Sequence, residues 1–554
     1  MSILRHNPAG RLRSWLARTA IVLALGGSVM RAENGYELWL RYRPESDAAV
    51  RADYVAHLGG GVVVSSRPVI DAARTELVDA LGAIIPGAGD GGVAYAGTRA
   101  DQPAIAALVS AAELAPLGEE GFVLRAGEWH GRRAVVIAGN SDLGVLHGVF
   151  ALLRQLQLGR PLAGLAVAEA PRVRERLANH WDNPVRTAGF RSESIERGYA
   201  GDSIFHWDDL PGKLDPRLHD WARLLAAMNL NGVVINNVNT AKRGLEGWRL
   251  LTPEYLPKLA ALARVLRPYG VRLFVAVNFF SPVLIDRLPT ADPLDPAVRR
   301  WWQAKTDAIY AAIPDFGGFL VKADSEGEPG PLKYGRTHAE GANMIAAALA
   351  PHGGSVHWRA FVYDRATGDR VTQAYTSFRP LDGQFAANVF LQVKYGPLDF
   401  QVREPASPLF AGLRHTNEAI ELEITQEYTG QQRHLVFLVP LWKSILDFDM
   451  RADNRYTPVK QLVEGKSFDR SLGGFAGVAN VGLDANWMGH PLAMANLYGF
   501  GRLAWNPDLA SATIANEWTR LTFNSDPLVV RTIDAMLLSS WHFYEEYTGP
   551  LGLG

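Results

Sequence analysis

The 554-residue sequence has no cysteine. Disulfides, thiol nucleophiles and cysteine-ligated metals are excluded, and the redox compartment stays open. An excess of charge of either sign is also missing: 56 Lys and Arg face 57 Asp and Glu, a net charge of −1. That balance gives nothing that favours nucleic acid or an anionic membrane surface as a partner. Long apolar runs are absent beyond the first 32 residues, so no membrane span is expected in the mature form. What is present is globular in texture, with 48% hydrophobic and 20% charged residues, and the length predicts two to four domains. The 15 Trp and 17 Tyr serve most simply as core, and otherwise as platforms that stack on ligand rings.

The N-terminus pairs a basic stretch (Arg5, Arg11, Arg13, Arg18) with a short apolar core at 19–30 and small residues near Ala32. This is the pattern of a secretory signal over 1–32, predicting a periplasmic or extracellular protein. The alternative is a cytoplasmic protein with an unstructured or amphipathic extension.

Residues 33–170 read as a mixed α/β domain, with strand-like runs at 61–65, 93–96, 121–125 and 133–138 and a helical pattern at 143–156. Gly87-Ala-Gly-Asp-Gly-Gly92 formally matches a dinucleotide loop. Pro86 before it and a strand-like run after it exclude that use. His130 and His147 lack partners at metal-ligand spacing and are expected to be structural.

From 171 to 490 apolar runs alternate with helical segments. The eight runs are 177–183, 232–239, 271–278, 317–324, 355–363, 389–394, 422–427 and 475–480. Helices are expected at 217–230, 253–267, 296–313 and 339–349. Strand–helix alternation in eight units predicts a (β/α)8 TIM barrel in preference to an open doubly wound sheet. The most telling run is Gly317-Gly-Phe-Leu-Val-Lys-Ala-Asp-Ser-Glu326: an apolar strand that ends abruptly in charge. In a barrel, the C-terminal strand ends build the active site. They supply Asp182, Asn236, Asn237, Asn278, Lys322, Glu326, Arg359, Lys394, Asp399 and Glu427. His180 and Asp182 have no further ligands at short spacing, so neither a metal nor a cofactor is expected. From 491 to 554 a helical region begins, with helices at 510–523 and 527–547 and Asp508 and Asp526 as capping candidates.

Carboxylates at a barrel rim without a cofactor motif point to glycoside hydrolysis, which needs a protonated acid on the leaving oxygen and a carboxylate on the opposite face. Lys322, Arg359 and Lys394 point to an anionic sugar, because charge-assisted donors suit a carboxylate. The plainer alternative is that each cation pairs with a local acid such as Asp324 or Glu404.

Several stretches carry a closer resemblance: Glu37-Leu-Trp-Leu-Arg-Tyr42, Asn179-His-Trp-Asp-Asn183, Ile195-Glu-Arg-Gly-Tyr-Ala-Gly201, Asn231-Gly-Val-Val-Ile-Asn-Asn-Val-Asn239 and the 317–326 run. Trp358-Arg-Ala-Phe-Val-Tyr363, Gly396-Pro-Leu-Asp-Phe-Gln401, Arg403-Glu-Pro405, Thr425-Gln-Glu-Tyr428 and Tyr498-Gly-Phe-Gly-Arg-Leu-Ala-Trp505 continue it in order. Together they resemble the α-glucuronidases of glycoside hydrolase family 67. The resemblance implies an N-terminal α/β domain, a (β/α)8 barrel and a helical C-terminal region. It implies inverting removal of α-1,2-linked glucuronic acid, or its 4-O-methyl ether, from xylooligosaccharides in xylan degradation. By motif, Glu326 is implied as general acid, Asp399 and Glu427 as the pair activating water, and Lys322, Arg359 and Lys394 as the uronate clamp. Trp181 is implied as a sugar-contacting ring, and Val238 lies where the family accommodates the O4 substituent. The implied partners are acidic xylooligosaccharides and, where the C-terminal region is not needed for it, a second copy in a homodimer.

Two departures stand out. The segment 182–195 is longer than the short loop usual in the family, which would reshape aglycone binding. Family members also continue past Gly549-Pro-Leu-Gly-Leu-Gly554. The alternative function is therefore a catalytically weak, C-terminally truncated fragment that binds acidic xylooligosaccharides.

Overall fold

The computed structural model describes residues 34–182, 200, 203–236, 247–361, 369–470 and 472–549. The expected leader, the 183–195 part of the long loop, Asn237 and Val238 lie outside them.

The N-terminal sheet has five strands: β1 (Val62–Val64), β2 (Val93–Gly97), β3 (Phe122–Trp129), β4 (Arg132–Gly139) and β5 (Ala166–Glu169). Their order is β1-β2-β4-β3-β5, parallel through β1, β2 and β4 and antiparallel at β3. The short β5 has no counterpart among the runs read from sequence. Ala166-Val-Ala-Glu169 is a half-exposed edge without bulky residues. His130 (φ +51°) and Gly131 (φ +72°) form the two-residue turn between β3 and β4, where positive φ matches the twist of the strands. His147 places Nδ1 3.0 Å from the Glu120 carbonyl and its ring edge-on to Trp505. Both histidines have structural settings.

Eight parallel strands close into a barrel: β6 (Glu175–Trp181), β7 (Gly232–Asn236), β8 (Arg272–Asn278), β9 (Gly318–Lys322), β10 (Ser355–Arg359), β11 (Val389–Lys394), β12 (Asn417–Glu423) and β13 (Gly473–Ala479). Closure runs through the β13–β6 pairing, so the open-sheet alternative does not apply. Helices such as Pro216–Ala227, Leu256–Leu266, Pro296–Ala312 and His338–Leu349 return the chain between strands. Gly318 (φ +140°) shows why β9 starts with glycines: a Cβ there would lie 1.9 Å from the Ser355 carbonyl of β10.

One strand differs in position from its sequence reading. The run expected at 422–427 is instead β12 at Asn417–Glu423. Glu418, Glu421 and Glu423 hide the strand by breaking its apolar run, yet all are buried in the barrel. Glu418 pairs with Arg470 and Glu421 with Arg359. Buried charges of this kind persist only when paired.

The C-terminal region contains helices Met494–Trp505, Ser511–Thr522 and Pro527–Thr548. Asp526 caps the last, accepting from Leu528 and Val529 N–H at 2.8 and 3.1 Å. Asp508 does not cap; its carboxylate is held by Lys460 (2.8 Å) and Arg172. The last helix reaches back to the barrel mouth. Trp541 donates to the Val402 carbonyl (3.1 Å), Glu545 pairs with Arg403 (2.7 Å), and Tyr544 donates to the Tyr428 carbonyl (3.4 Å).

Candidate functional site

Lys322 is the last residue of β9, and the chain turns immediately after it. Asp324 (φ +52°) and Glu326 (φ +53°) both adopt left-handed backbone, a conformation uncommon for residues other than glycine. The turn is held from three sides. Glu328 N–H donates to the Ser325 carbonyl (2.9 Å), Asn278 at the end of β8 donates to Glu328 (2.9 Å), and Asp324 accepts from Leu332 N–H (3.1 Å). Its product is a Glu326 side chain 45% exposed at the mouth, with Lys322 Nζ 2.5 Å from Oε2.

Arg359 ends β10 and Lys394 ends β11, both buried. Neither waits as a bare cation. Arg359 makes a two-point contact with Glu421, with Nε 2.9 Å from Oε2, and Gln392 donates to the same carboxylate. Lys394 pairs with Asp399. The expectation of local acid partners thus holds in kind but not in identity: they are Glu326, Glu421 and Asp399, not Asp324 or Glu404. The three cations also converge on one ring. Arg359 Cζ, Lys394 Nζ and Lys322 Nζ lie 4.4, 4.1 and 5.9 Å from the centroid of Phe361.

Asp399 is carried by the loop after β11. Its Oδ2 accepts from the Tyr428 hydroxyl at 3.0 Å, and Arg370 approaches it at 3.8 Å. Buried Glu404 accepts from three backbone N–H groups of that loop, Leu398 (2.6 Å), Asp399 (2.9 Å) and Gln401 (2.7 Å). The fit leaves no slack: a Cβ on Gly396 would lie 2.3 Å from Glu404 Oε2. Glu427 follows β12, half-buried, and its charge acts with that of Asp399 on Tyr428. Burial first, then these two carboxylates, push the Tyr428 hydroxyl well above its ordinary pKa.

Electrostatics sort the acids. For Glu326, burial favours protonation, but the charge and hydrogen bond of Lys322, with Lys394 behind, win and hold it below the usual range. Asp399 behaves alike: burial raises it, while Lys394, the Tyr428 hydroxyl and Arg359 bring it down. Lys322 is depressed by burial against the pull of Glu326. Glu404 is raised by burial despite its three backbone donors.

Lys322, Glu326, Arg359, Lys394 and Asp399 are therefore one cluster at the ends of β9–β11, with Glu427 joined to it through Tyr428. Trp181 ends β6, buried, three strands from β9 in the barrel order. His180 is enclosed by Phe205 and Trp221, and Asp182 accepts from Trp207 Nε1 at 2.6 Å. Asn236 donates to Asn179 at 3.0 Å. Phe361, Glu421, Gln392 and Tyr428 carry no role in the sequence reading, and Glu404 entered it only as a partner for a cation. Phe361, Gln392 and Tyr428 sit within two residues of a predicted site residue; Glu421 could not be found without the strand register.

Three family models match in order: the glycosyl hydrolase family 67 N-terminus at residues 38–152, middle domain at 155–487 and C-terminus at 488–554. A Hypocrea jecorina protein named alpha-glucuronidase is 50% identical over 425 residues, 76% of this chain and 49% of the relative. "Probable alpha-glucuronidase A" of Aspergillus fumigatus is 43% identical over 96% of the chain, and alpha-glucuronidase A of Emericella nidulans 42% over 98%. The chain spans 63% and 64% of the length of these two relatives. Among solved structures, a family GH115 4-O-methyl-alpha-glucuronidase with specificity for decorated arabinogalactans superposes with TM-score 0.53 at 14% identity, covering 87% of this chain and 62% of that one. A GH138 enzyme targeting pectin rhamnogalacturonan II has the same TM-score at 13% identity, covering 89% and 55%. At such identities these two speak for the fold alone.

Proposed function

Because the chain belongs to glycosyl hydrolase family 67, we propose that it is an inverting α-glucuronidase. Its substrates are xylooligosaccharides carrying α-1,2-linked glucuronic acid or the 4-O-methyl ether. The observation that carries this reading is the cluster in which Lys322, Arg359 and Lys394 surround the approach to Glu326 and Asp399.

The uronate carboxylate enters among the cations. Protonated Glu326 gives its proton to the glycosidic oxygen as the C1–O bond breaks. Water attacks C1 from the opposite face, losing its proton to Asp399 or Glu427, so the anomeric centre inverts. Glu326 is ionised beside Lys322 in the free protein, which opposes its role. A bound uronate cancels part of that positive charge and restores the bias of burial toward the protonated acid. A neutral glucosyl substrate brings no such charge.

Proton NMR of the first sugar released from an aldouronic acid should show β-glucuronic acid. First appearance of the α anomer would mean retention and other roles for the carboxylates. Binding of aldouronic acids without turnover would mean that the site recognises this substrate class but does not hydrolyse it.

A further inference from the structure

We propose that Phe361 is a positioning residue for the anion site: its ring holds Lys322, Arg359 and Lys394 at one spacing so that together they receive a single carboxylate. This rests on the uronate reading of the same site. Each cation comes from a different strand end, β9, β10 and β11, and each has its own acid partner in Glu326, Glu421 or Asp399. All three also lie against the ring of Phe361, two residues past Arg359 and buried. Lys394 and Arg359 lie closest, at 4.1 and 4.4 Å from the ring centroid, and Lys322 at 5.9 Å, the outer range of a cation–ring attraction.

The physical case is one of like charges. The three cations repel one another, and before a substrate carboxylate arrives each is drawn to its own acid. The negative face of an aromatic ring attracts all three without being consumed as an ion-pair partner. It needs no proton and makes no hydrogen bond, so it does not compete with an arriving carboxylate for donors. Leucine would fill similar space but offers no such field.

The test replaces Phe361 with 4-fluoro-, 3,5-difluoro- and pentafluorophenylalanine, which change ring electronics with little change in shape, and adds Phe361→Leu. D-glucuronate and D-glucose binding are measured by calorimetry, with kcat and KM on an aldouronic acid. Glucuronate affinity should fall stepwise with fluorination, to about tenfold weaker at the pentafluoro ring. KM should rise in parallel, kcat should stay within a few-fold, and the denaturation midpoint should hardly move. If wild type binds glucuronate and the fluorinated proteins bind it equally well, Phe361 is only filler and the inference fails. If wild type itself fails to prefer glucuronate to glucose, the uronate reading falls and this inference with it. Should Phe361→Leu not fold, the fluorinated series still decides.

Discussion

Glu326 sits 2.5 Å from the Lys322 ammonium, and that contact sets what the residue can do at each stage. In the free protein the Lys322 charge and hydrogen bond hold its pKa below the usual carboxylate range; on the proposed reading, a uronate among the cations would raise it. A general acid must be protonated, so activity is lost as pH rises through this pKa. The basic limb of kcat/KM, which reports the free protein, should therefore lie at lower pH than the basic limb of kcat, which reports the complex. In the same experiments Glu326→Ala should lose roughly 10²–10⁴-fold on an aldouronic acid. It should lose much less on a substrate whose leaving group needs no proton. Equal losses on both substrates, or limbs that coincide, would remove Glu326 from the role.

The element that controls Asp399 is the loop between β11 and the short helix Leu409–Gly412. Its geometry depends on Glu404, which ties three loop N–H groups to one carboxylate, and on the last helix, which grips the loop through Trp541–Val402 and Glu545–Arg403. A carboxamide cannot accept on both arms, so Glu404→Gln leaves at least one N–H without its acceptor and lets Asp399 shift. Misplacement on the ångström scale costs on the order of 10²-fold. Steady-state kinetics on Glu404→Gln should show kcat reduced by about 10–10²-fold with KM changed only a few-fold. Unchanged kcat would mean that the loop is held elsewhere.

Across the whole molecule, burial of neutral histidine couples stability to pH. Burial lowers His180 to about 3, and His338 and His357 to about 4. A histidine depressed in the fold stabilises above its unfolded pKa near ~6.5, and that stability drains as pH falls toward the folded value. Two carboxyls run the other way, Asp324 raised to about 6 and Glu418 to about 8, both by burial. The histidine contribution taken by itself is lost in acid. His180 isolates one term: it is enclosed by rings, and neither ring nitrogen has a hydrogen-bond partner among the described residues. Denaturation of His180→Leu at pH 7.5 and 5 should show a smaller acid loss than wild type, by about 2 kcal/mol at pH 5. Identical acid losses in the two proteins would show that His180 does not titrate on unfolding.

The sequence by itself determined the repeating strand–helix alternation, because a parallel strand buried on both faces must be a continuous apolar run and its C-terminal end must turn polar where the barrel meets water. That logic made Lys322, Glu326, Arg359 and Lys394 readable as strand-end residues, with ordered motifs supplying their roles. It failed at β12, where Glu418, Glu421 and Glu423 imitate a solvated segment, since a buried charge differs from an exposed one only by its partners. Those partners, Arg470 from beyond the strand and Arg359 from β10, are 52 and 62 residues away in the chain. Only the tertiary structure decided which acid each cation meets, that Phe361 lies at the centre of three of them, and that Glu404 serves a loop rather than a cation. Side-chain pairing across a closed barrel depends on strand register and loop conformation, and neither is written in local spacing.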